Sequence, residues 1–410
     1  MKNAWPQRFR RGSPRELGFE PGRLERISGV VDRALEAGRT AGVLTAVIRD
    51  GALAWFDVRG CRDVATGKPI EADTLFRIYS MTKPITTAAV MMLVEEARIG
   101  LQDPLSRFFP EYREMEVYVG GDEPPFLTEP AVREITVRDL LTHTAGLAYG
   151  IGDEHPVEKR FEADVWGPVS RDRSLTLRDL ARLIADRPLV HQPGTHWRYS
   201  IANDLLGALV EEVSGMPFVG FLEQRLFGPL GMDRTWFTVP EAERDRLASV
   251  YTPSEIGLEP SPDPPILSFE QTDAHPNGGG GLVSSAGDYL AFAQMFLDGG
   301  RATDANGRPG DYVLAPATVR MMMTDHLPRG VAGWSGPGVG FGYGGSVVTD
   351  LTQFAGYGSL GRYGWGGAAS TGFWVDPVER IVGLVLQQAV PYSAQLADDV
   401  TTTVYQAVAG

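Results

Sequence analysis

Apolar positions recur every three to four residues over 22–37, where Leu24, Ile27, Val30, Val31 and Ala34 fall on one face. That spacing predicts an amphipathic helix. Two apolar, β-branched-rich runs follow, 43–48 and 53–58, joined through Asp50-Gly51, and read as a hairpin. Near the other end, runs 368–375 and 381–390 are split by Asp376-Pro377, and an amphipathic stretch, 394–408, follows them. Strands and a helix from both ends bury their apolar faces most simply in one largely antiparallel sheet with the terminal helices packed on it. The middle differs. Segments 80–99, 137–143, 177–187, 201–213, 218–226 and 286–297 read as helices, separated by Pro- and Gly-rich loops, notably 120–130 and 253–265. The expected fold class is α/β (α+β). A sheet lobe is built from 1–75 and 280–410, and a mostly helical lobe, 76–279, is inserted into it.

Composition narrows the class. A chain of 410 residues exceeds one typical core, which fits two lobes. The hydrophobic fraction of 43% and charged fraction of 22% are those of an ordinary globular protein. A net charge of −14 argues against nucleic acid as a partner, because phosphate binding needs a basic footprint. The single cysteine, Cys61, permits no internal disulfide and reads as a buried small residue rather than a nucleophile. Residues 1–16 are polar and Arg-rich, without the apolar segment of a secretory signal, and no apolar run reaches membrane-spanning length. A cytoplasmic protein without membrane partners is expected.

Three short motifs carry candidate chemistry. In Ser80-Met81-Thr82-Lys83, the serine and lysine stand three apart at the start of a helical pattern. Pro84 fits only near a helix start, and Gly100 is the expected end signal. At that spacing both side chains share a face, so Lys83 can reach Ser80 Oγ. A lysine whose proton affinity is lowered by desolvation or neighbouring charge can help activate a hydroxyl. By itself the motif is weak, since on the order of one Ser-x-x-Lys arises by chance in such a chain. Ser80 as an N-cap with a solvated Lys83 is the competing reading. Lys83 is, however, one of only four lysines, and its helix is otherwise apolar.

Second, Trp197-Arg198-Tyr199-Ser200 precedes the helix 201–213, with Ser200 as a candidate cap and Gly215 as its end. Tyr199 on that loop either faces a cleft or is a half-buried structural tyrosine. Third, Tyr363-Gly364-Trp365-Gly366-Gly367-Ala368 brings glycines into a strand, where a ligand can approach the backbone and an N–H can donate to it. The alternative is a bulge or turn.

In this order the three motifs resemble the serine β-lactamase and penicillin-binding-protein superfamily. The chain is most similar there to class C β-lactamase-like esterases (family VIII carboxylesterases) and to lovastatin-type acyltransferases. The flanking text agrees: Phe76-Arg77-Ile78-Tyr79 before Ser80, Leu140-Leu141-Thr142-His143-Thr144-Ala145-Gly146-Leu147, Asp204-Leu205-Leu206-Gly207, and Gly279-Gly280-Gly281-Leu282-Val283-Ser284-Ser285. Two positions depart from β-lactamases. Ile201 stands where a Tyr-x-Asn motif has Asn, and Trp365-Gly366-Gly367 stands where Lys-Thr-Gly is usual. No lysine follows Lys159, and the Trp-Gly-Gly variant is the one family VIII esterases carry.

The resemblance implies an acyl-enzyme on Ser80, with Lys83 and Tyr199 handling protons as one unit. It implies an oxyanion hole from the backbone N–H groups of Ser80 and Ala368, and a substrate pocket shaped by Trp365, Gly366 and Gly367. The expected activity is hydrolysis of small to medium acyl esters, with weak β-lactamase side activity. The alternatives are acyl transfer to an alcohol from the same intermediate, a β-lactamase or D-amino-acid peptidase, and a non-catalytic binding protein on this fold. The expected partner is a small-molecule ester. No Gly-x-Ser-x-Gly elbow, Gly-Lys-Ser/Thr or zinc-ligand spacing of histidines occurs, so neither a cofactor nor a metal is expected. His143 is expected to be structural.

Overall fold

The computed structural model describes residues 9–150, 155–263, 269, 275–303, 308–333 and 335–409. Its centre is a nine-stranded sheet drawn from both ends of the chain. Across it run Arg10–Arg11, Ala52–Asp63, Gly42–Arg49, Ile381–Gln387, Thr371–Asp376, Tyr363–Gly367, Ser346–Val348 and Val339–Phe341, with Lys68–Pro69 pairing off Ala52–Asp63. The junction between the two ends is the antiparallel pair Gly42–Arg49 and Ile381–Gln387, in register from Val43↔Gln387 to Arg49↔Ile381. Within this sheet, among the described residues, the one parallel strand pairing is the short edge strand Arg10–Arg11 against Ala52 and Leu53.

Both central strands are buried almost throughout, so the sheet needs cover on both faces. On one face the helices Arg26–Glu36 and Gln395–Ala407 bring Ile27, Val31, Leu396, Val400 and Val404 onto Val43, Val47, Trp374, Ile381 and Val385. The apolar helix Ala286–Leu297 belongs to the larger cluster on the other face, where Tyr289 and Phe292 pack among Phe373, Leu384 and Leu386. Helices Thr82–Glu95 and Ala202–Ser214 are also in that cluster. Every residue from Thr82 to Leu93 is buried, Lys83 included. Among the described residues no single helix is long and apolar enough to cross a membrane. One bent helical pair passes by length and composition, and its residues lie largely in this core.

Several elements differ from the sequence reading. The helix expected from residue 80 opens as a 3-10 turn, Tyr79–Met81, and continues as Thr82–Glu95. It stops well before Gly100 because Ala97 itself takes a left-handed backbone (φ 54°), letting Arg98 N–H bond back to Leu93 O. Gly215 does end its helix, at φ 72°. Ser200 is not the cap: the helix starts at Ala202 with Ile201 as its N-cap and no side-chain cap bond, and Ser200 Oγ, one residue earlier, only accepts from Ala202 N–H at 3.4 Å. The loop text of 120–130 contains a hairpin, Glu116–Gly120 with Leu127–Pro130. That of 253–265 contains part of another, Tyr251–Ser254 with Gly257–Pro260, although residues 264 and 265 lie outside the described set. The run 368–375 is not one strand. Tyr363–Gly367 and Thr371–Asp376 are separate strands, with the chain reversing through residues 368–370, where Ser370 has φ 63°.

Candidate active site

The short strand Leu75–Arg77 delivers the chain into the turn that holds Ser80. Tyr79, just before it, has φ 41°, a conformation unfavourable for a residue with a side chain. Its surroundings hold it there. The Tyr79 ring meets Phe269 edge-on at 5.9 Å, and its hydroxyl reaches Asp263 Oδ1 at 3.5 Å. The same aspartate accepts from Arg77 at 2.8 Å. Strain beside a reactive side chain persists when contacts over-determine it, as here.

Lys83 lies one helical turn on, fully buried. Its Nζ donates to Gly279 O at 2.6 Å, to Ser80 Oγ at 3.3 Å and to the Tyr149 hydroxyl at 3.3 Å. Tyr199 comes from the loop before Ala202–Ser214, and its hydroxyl donates to Ser80 Oγ at 2.6 Å. The Lys83 ammonium also sits 4.5 Å from the Tyr199 ring centre. The structure thus brings the three expected side chains of Ser80, Lys83 and Tyr199 into one hydrogen-bonded group.

The third motif closes the site from the sheet. The strand Tyr363–Gly367 runs against the Ser80 turn, with the Gly367 backbone beside the Ile78 carbonyl. Ala368 is exposed at the start of the following reversal. Trp365 is half-buried, its ring 5.8 Å from Tyr199 and 5.3 Å from Phe341. Gly366 faces the hydroxyl of Tyr392, which a Cβ at 366 would approach to 3.2 Å.

Sequence reasoning missed three contributors. Tyr149 stacks edge-on with Tyr199 at 5.4 Å and accepts from Lys83. Burial, with the charges of Tyr199 and Asp204, pushes its phenol well above the ordinary value, so it stays protonated. Glu158 holds the Tyr149 backbone N–H at 2.9 Å and pairs with Arg198, tying this segment to the Tyr199 loop. Gly279, quoted only as part of a glycine run, supplies the shortest bond to Lys83. A tyrosine after Ala145-Gly146-Leu147-Ala148 was the only local signal for Tyr149.

His143, expected to be structural, is buried beside Tyr199. Its Nδ1 meets Ser200 Oγ at 3.1 Å and its ring lies 5.2 Å from Tyr199. Burial, then the nearby Lys83 charge, holds its pKa well below the usual value, so the ring is neutral. A serine bonded to a tyrosine and a buried lysine can exchange a proton within that group.

Residues 27–404 match the family model for β-lactamase. The chain belongs to the β-lactamase family. Among its relatives, esterase EstB of Burkholderia gladioli is 32% identical over 385 residues, covering 88% of each chain. Protein Rv1367c of Mycobacterium tuberculosis is 37% identical over 374 residues, covering 87% of this chain and 88% of that one. The solved structure of EstCE1, described as a hydrolase with promiscuous acyltransferase activity, superimposes with a TM-score of 0.77 at 28% identity, covering 95% and 99%. This β-lactamase-family chain is therefore an enzyme of a serine-hydrolase family that includes esterases and acyltransferases.

Proposed function

We propose that this chain is a serine carboxylesterase acting on small to medium acyl esters. The observation that carries the reading is the bond from Tyr199 to Ser80 at 2.6 Å, with Lys83 on the same oxygen at 3.3 Å and Trp365, rather than a lysine, beside Tyr199 on the neighbouring strand. When the Lys83–Tyr199 pair loses one proton, the direction of the short bond reverses and the pair accepts the Ser80 proton as Oγ attacks the ester carbonyl. The N–H groups of Ser80 and Ala368 receive the developing oxyanion. The alcohol leaves with a proton from the same pair, and water then cleaves the acyl-enzyme.

A second reading has a specific support. EstCE1 is described as transferring acyl groups as well as hydrolysing them, and the acyl-enzyme here is open to an alcohol in place of water. The test is p-nitrophenyl ester turnover in the wild type and Ser80→Ala, with and without an added alcohol. Hydrolysis lost in Ser80→Ala supports the esterase. An ester product that forms faster than acid when alcohol is present makes acyl transfer the principal activity. Unchanged turnover in folded Ser80→Ala rejects both.

A further inference from the structure

The departure at position 201 leaves a question that the site geometry answers. Ile201 is completely buried and brings no polar atom to Lys83. One turn along the same helix, Asp204 is also completely buried. Its Oδ1 accepts from Gly279 N–H at 3.2 Å, and the carbonyl of that same Gly279 takes up Lys83 Nζ at 2.6 Å. Its Oδ2 accepts no hydrogen bond among the described residues. A Cβ placed on Gly279 would stand 2.6 Å from Asp204 Oδ2, 3.3 Å from Lys83 Nζ and 3.3 Å from the Tyr149 hydroxyl, so these groups converge on one glycine. The two charges are therefore no more than about 6 Å apart, a range in which opposite charges strongly bias each other's protonation.

We propose that Asp204 is a positioning residue for Lys83: it anchors the Gly279 peptide that receives the ammonium, and its charge holds the proton on the Lys83–Tyr199 pair. An ammonium has three N–H donors, and all three are engaged by Gly279, Ser80 and Tyr149. Asp204 thus acts through the peptide and through space rather than by a direct bond. Glycine at 279 is required because any side chain would occupy the gap between the charges. Burial raises the Asp204 carboxyl, Lys83 and the Gly279 N–H offset part of that rise, and the net position is about 6.

The groups around the pair are few. Tyr149 stays protonated, and His143, from the segment after Val137–Leu141, stays neutral. Arg198 is paired with Glu158. Tyr392, about half exposed, lies near Tyr199, and its phenol is raised by partial burial and then by Asp398. That leaves Asp204, Lys83 and Tyr199 to set the acid limb of activity. The inference rests on the esterase reading for its consequence in catalysis, but not for its test.

With only four lysines, Lys2, Lys68, Lys83 and Lys159, the full chain labelled with [13Cε]lysine gives a resolvable set of signals. Lys83→Met identifies the one from Lys83. In Asp204→Asn, which keeps an oxygen for Gly279 N–H, the Lys83 titration should move to lower pH by about 1–3 units, with the other three unmoved. Asp204→Leu should move it the same way and serves if the first variant does not fold. Where the enzyme hydrolyses p-nitrophenyl esters, the acid limb of kcat/KM should move to lower pH with it. A Lys83 midpoint that stays in place in the folded variant overturns the proposal. Absence of ester hydrolysis in the wild type would instead count against the esterase reading, and the titration would still decide this one.

Discussion

Gly367 and Ile78 approach so closely that a Cβ on the glycine would stand 2.3 Å from the Ile78 carbonyl oxygen. Contact at that distance with fixed backbone cannot be relieved by a side-chain rotation. Gly367→Ala should therefore push the strand Tyr363–Gly367 away from the Ser80 turn and carry the Ala368 N–H with it. Losing one oxyanion donor costs about 10²–10³ in kcat. Gly366→Ala is the control. Its Cβ would meet Thr371 O at 3.1 Å and the Tyr392 side chain at 3.2 Å, a milder conflict that Tyr392 can partly yield to. Steady-state kinetics of the two variants should show the larger kcat loss at 367. Equal losses would argue that the oxyanion hole lies elsewhere.

Lys83 and Tyr199 both touch Ser80 Oγ and each other. Lys83→Met or Tyr199→Phe alone should lower the ester rate by about 10²–10⁴-fold, the range of a positioned acid–base group. The double variant should lose much less than the product of the two, because members of one network are not additive. A multiplicative loss in the double variant would mean that the two residues act in separate steps.

The motifs made the reactive triangle legible because each is local. Ser80 and Lys83 are one helical turn apart, and Tyr199 is fixed by the loop before its own helix. What the sequence left hidden joins segments far apart. Tyr149 meets Lys83 across 66 positions and Gly279 across 196. No periodicity marks a tyrosine that ends an apolar stretch, or one glycine among four. The sheet was legible for the same reason: its central strands are long and continuously apolar. The hairpins within 120–130 and 253–265 were hidden because their strands are mostly exposed and rich in Gly and Pro, so they lack the alternation that marks a half-buried strand. The split at 368–370 was masked by small residues, Ala368 and Ala369, continuing the glycine run into a strand.

Stability should fall on acidification from pH 8 to pH 5. Burial lowers the pKa of His143 well below 6.5 and that of His191 to about 4. For a base depressed in the folded state, the unfolded chain binds a proton that the folded chain refuses. The stabilisation is intact above the unfolded pKa and is lost as pH falls below about 6.5. By pH 5 His191 alone removes about 2 kcal/mol, and His143 acts in the same direction. Asp204 works the other way, since its carboxyl is raised to about 6 and it gains stability between pH 6 and 3.8. That gain is about 1 kcal/mol at pH 5, so the histidines win. Tm should be lower at pH 5 than at pH 8, and His191→Asn should recover part of the difference. A Tm independent of pH over this window would contradict the neutral state of both rings.

Trp365 should set the preference for esters over β-lactams. It occupies the strand position beside the Ser80 turn and packs between Tyr199 and Phe341. An indole offers flat apolar area and one N–H donor, but no positive charge. A typical β-lactam carries a carboxylate, and the missing charge-assisted hydrogen bond is worth roughly 1.5–3 kcal/mol. That is about a ten- to hundredfold penalty in kcat/KM. The arginines that flank the three motifs do not replace the charge. Arg77 is bound to Asp263 and Arg198 to Glu158, while Arg362 lies among the rings of Phe354, Trp374 and Tyr405. A neutral ester loses nothing at this position and gains contact with the ring. In the wild type, kcat/KM for a neutral p-nitrophenyl ester should exceed that for nitrocefin by at least this margin, and Trp365→Lys should narrow the gap. The ester rate of that variant separates a change of preference from damage. If it falls while nitrocefin turnover rises, the charge is what discriminates. If both fall together, Trp365 serves mainly to hold Tyr199 in place. Equal efficiency toward nitrocefin and the best ester in the wild type would replace the esterase assignment with a β-lactamase.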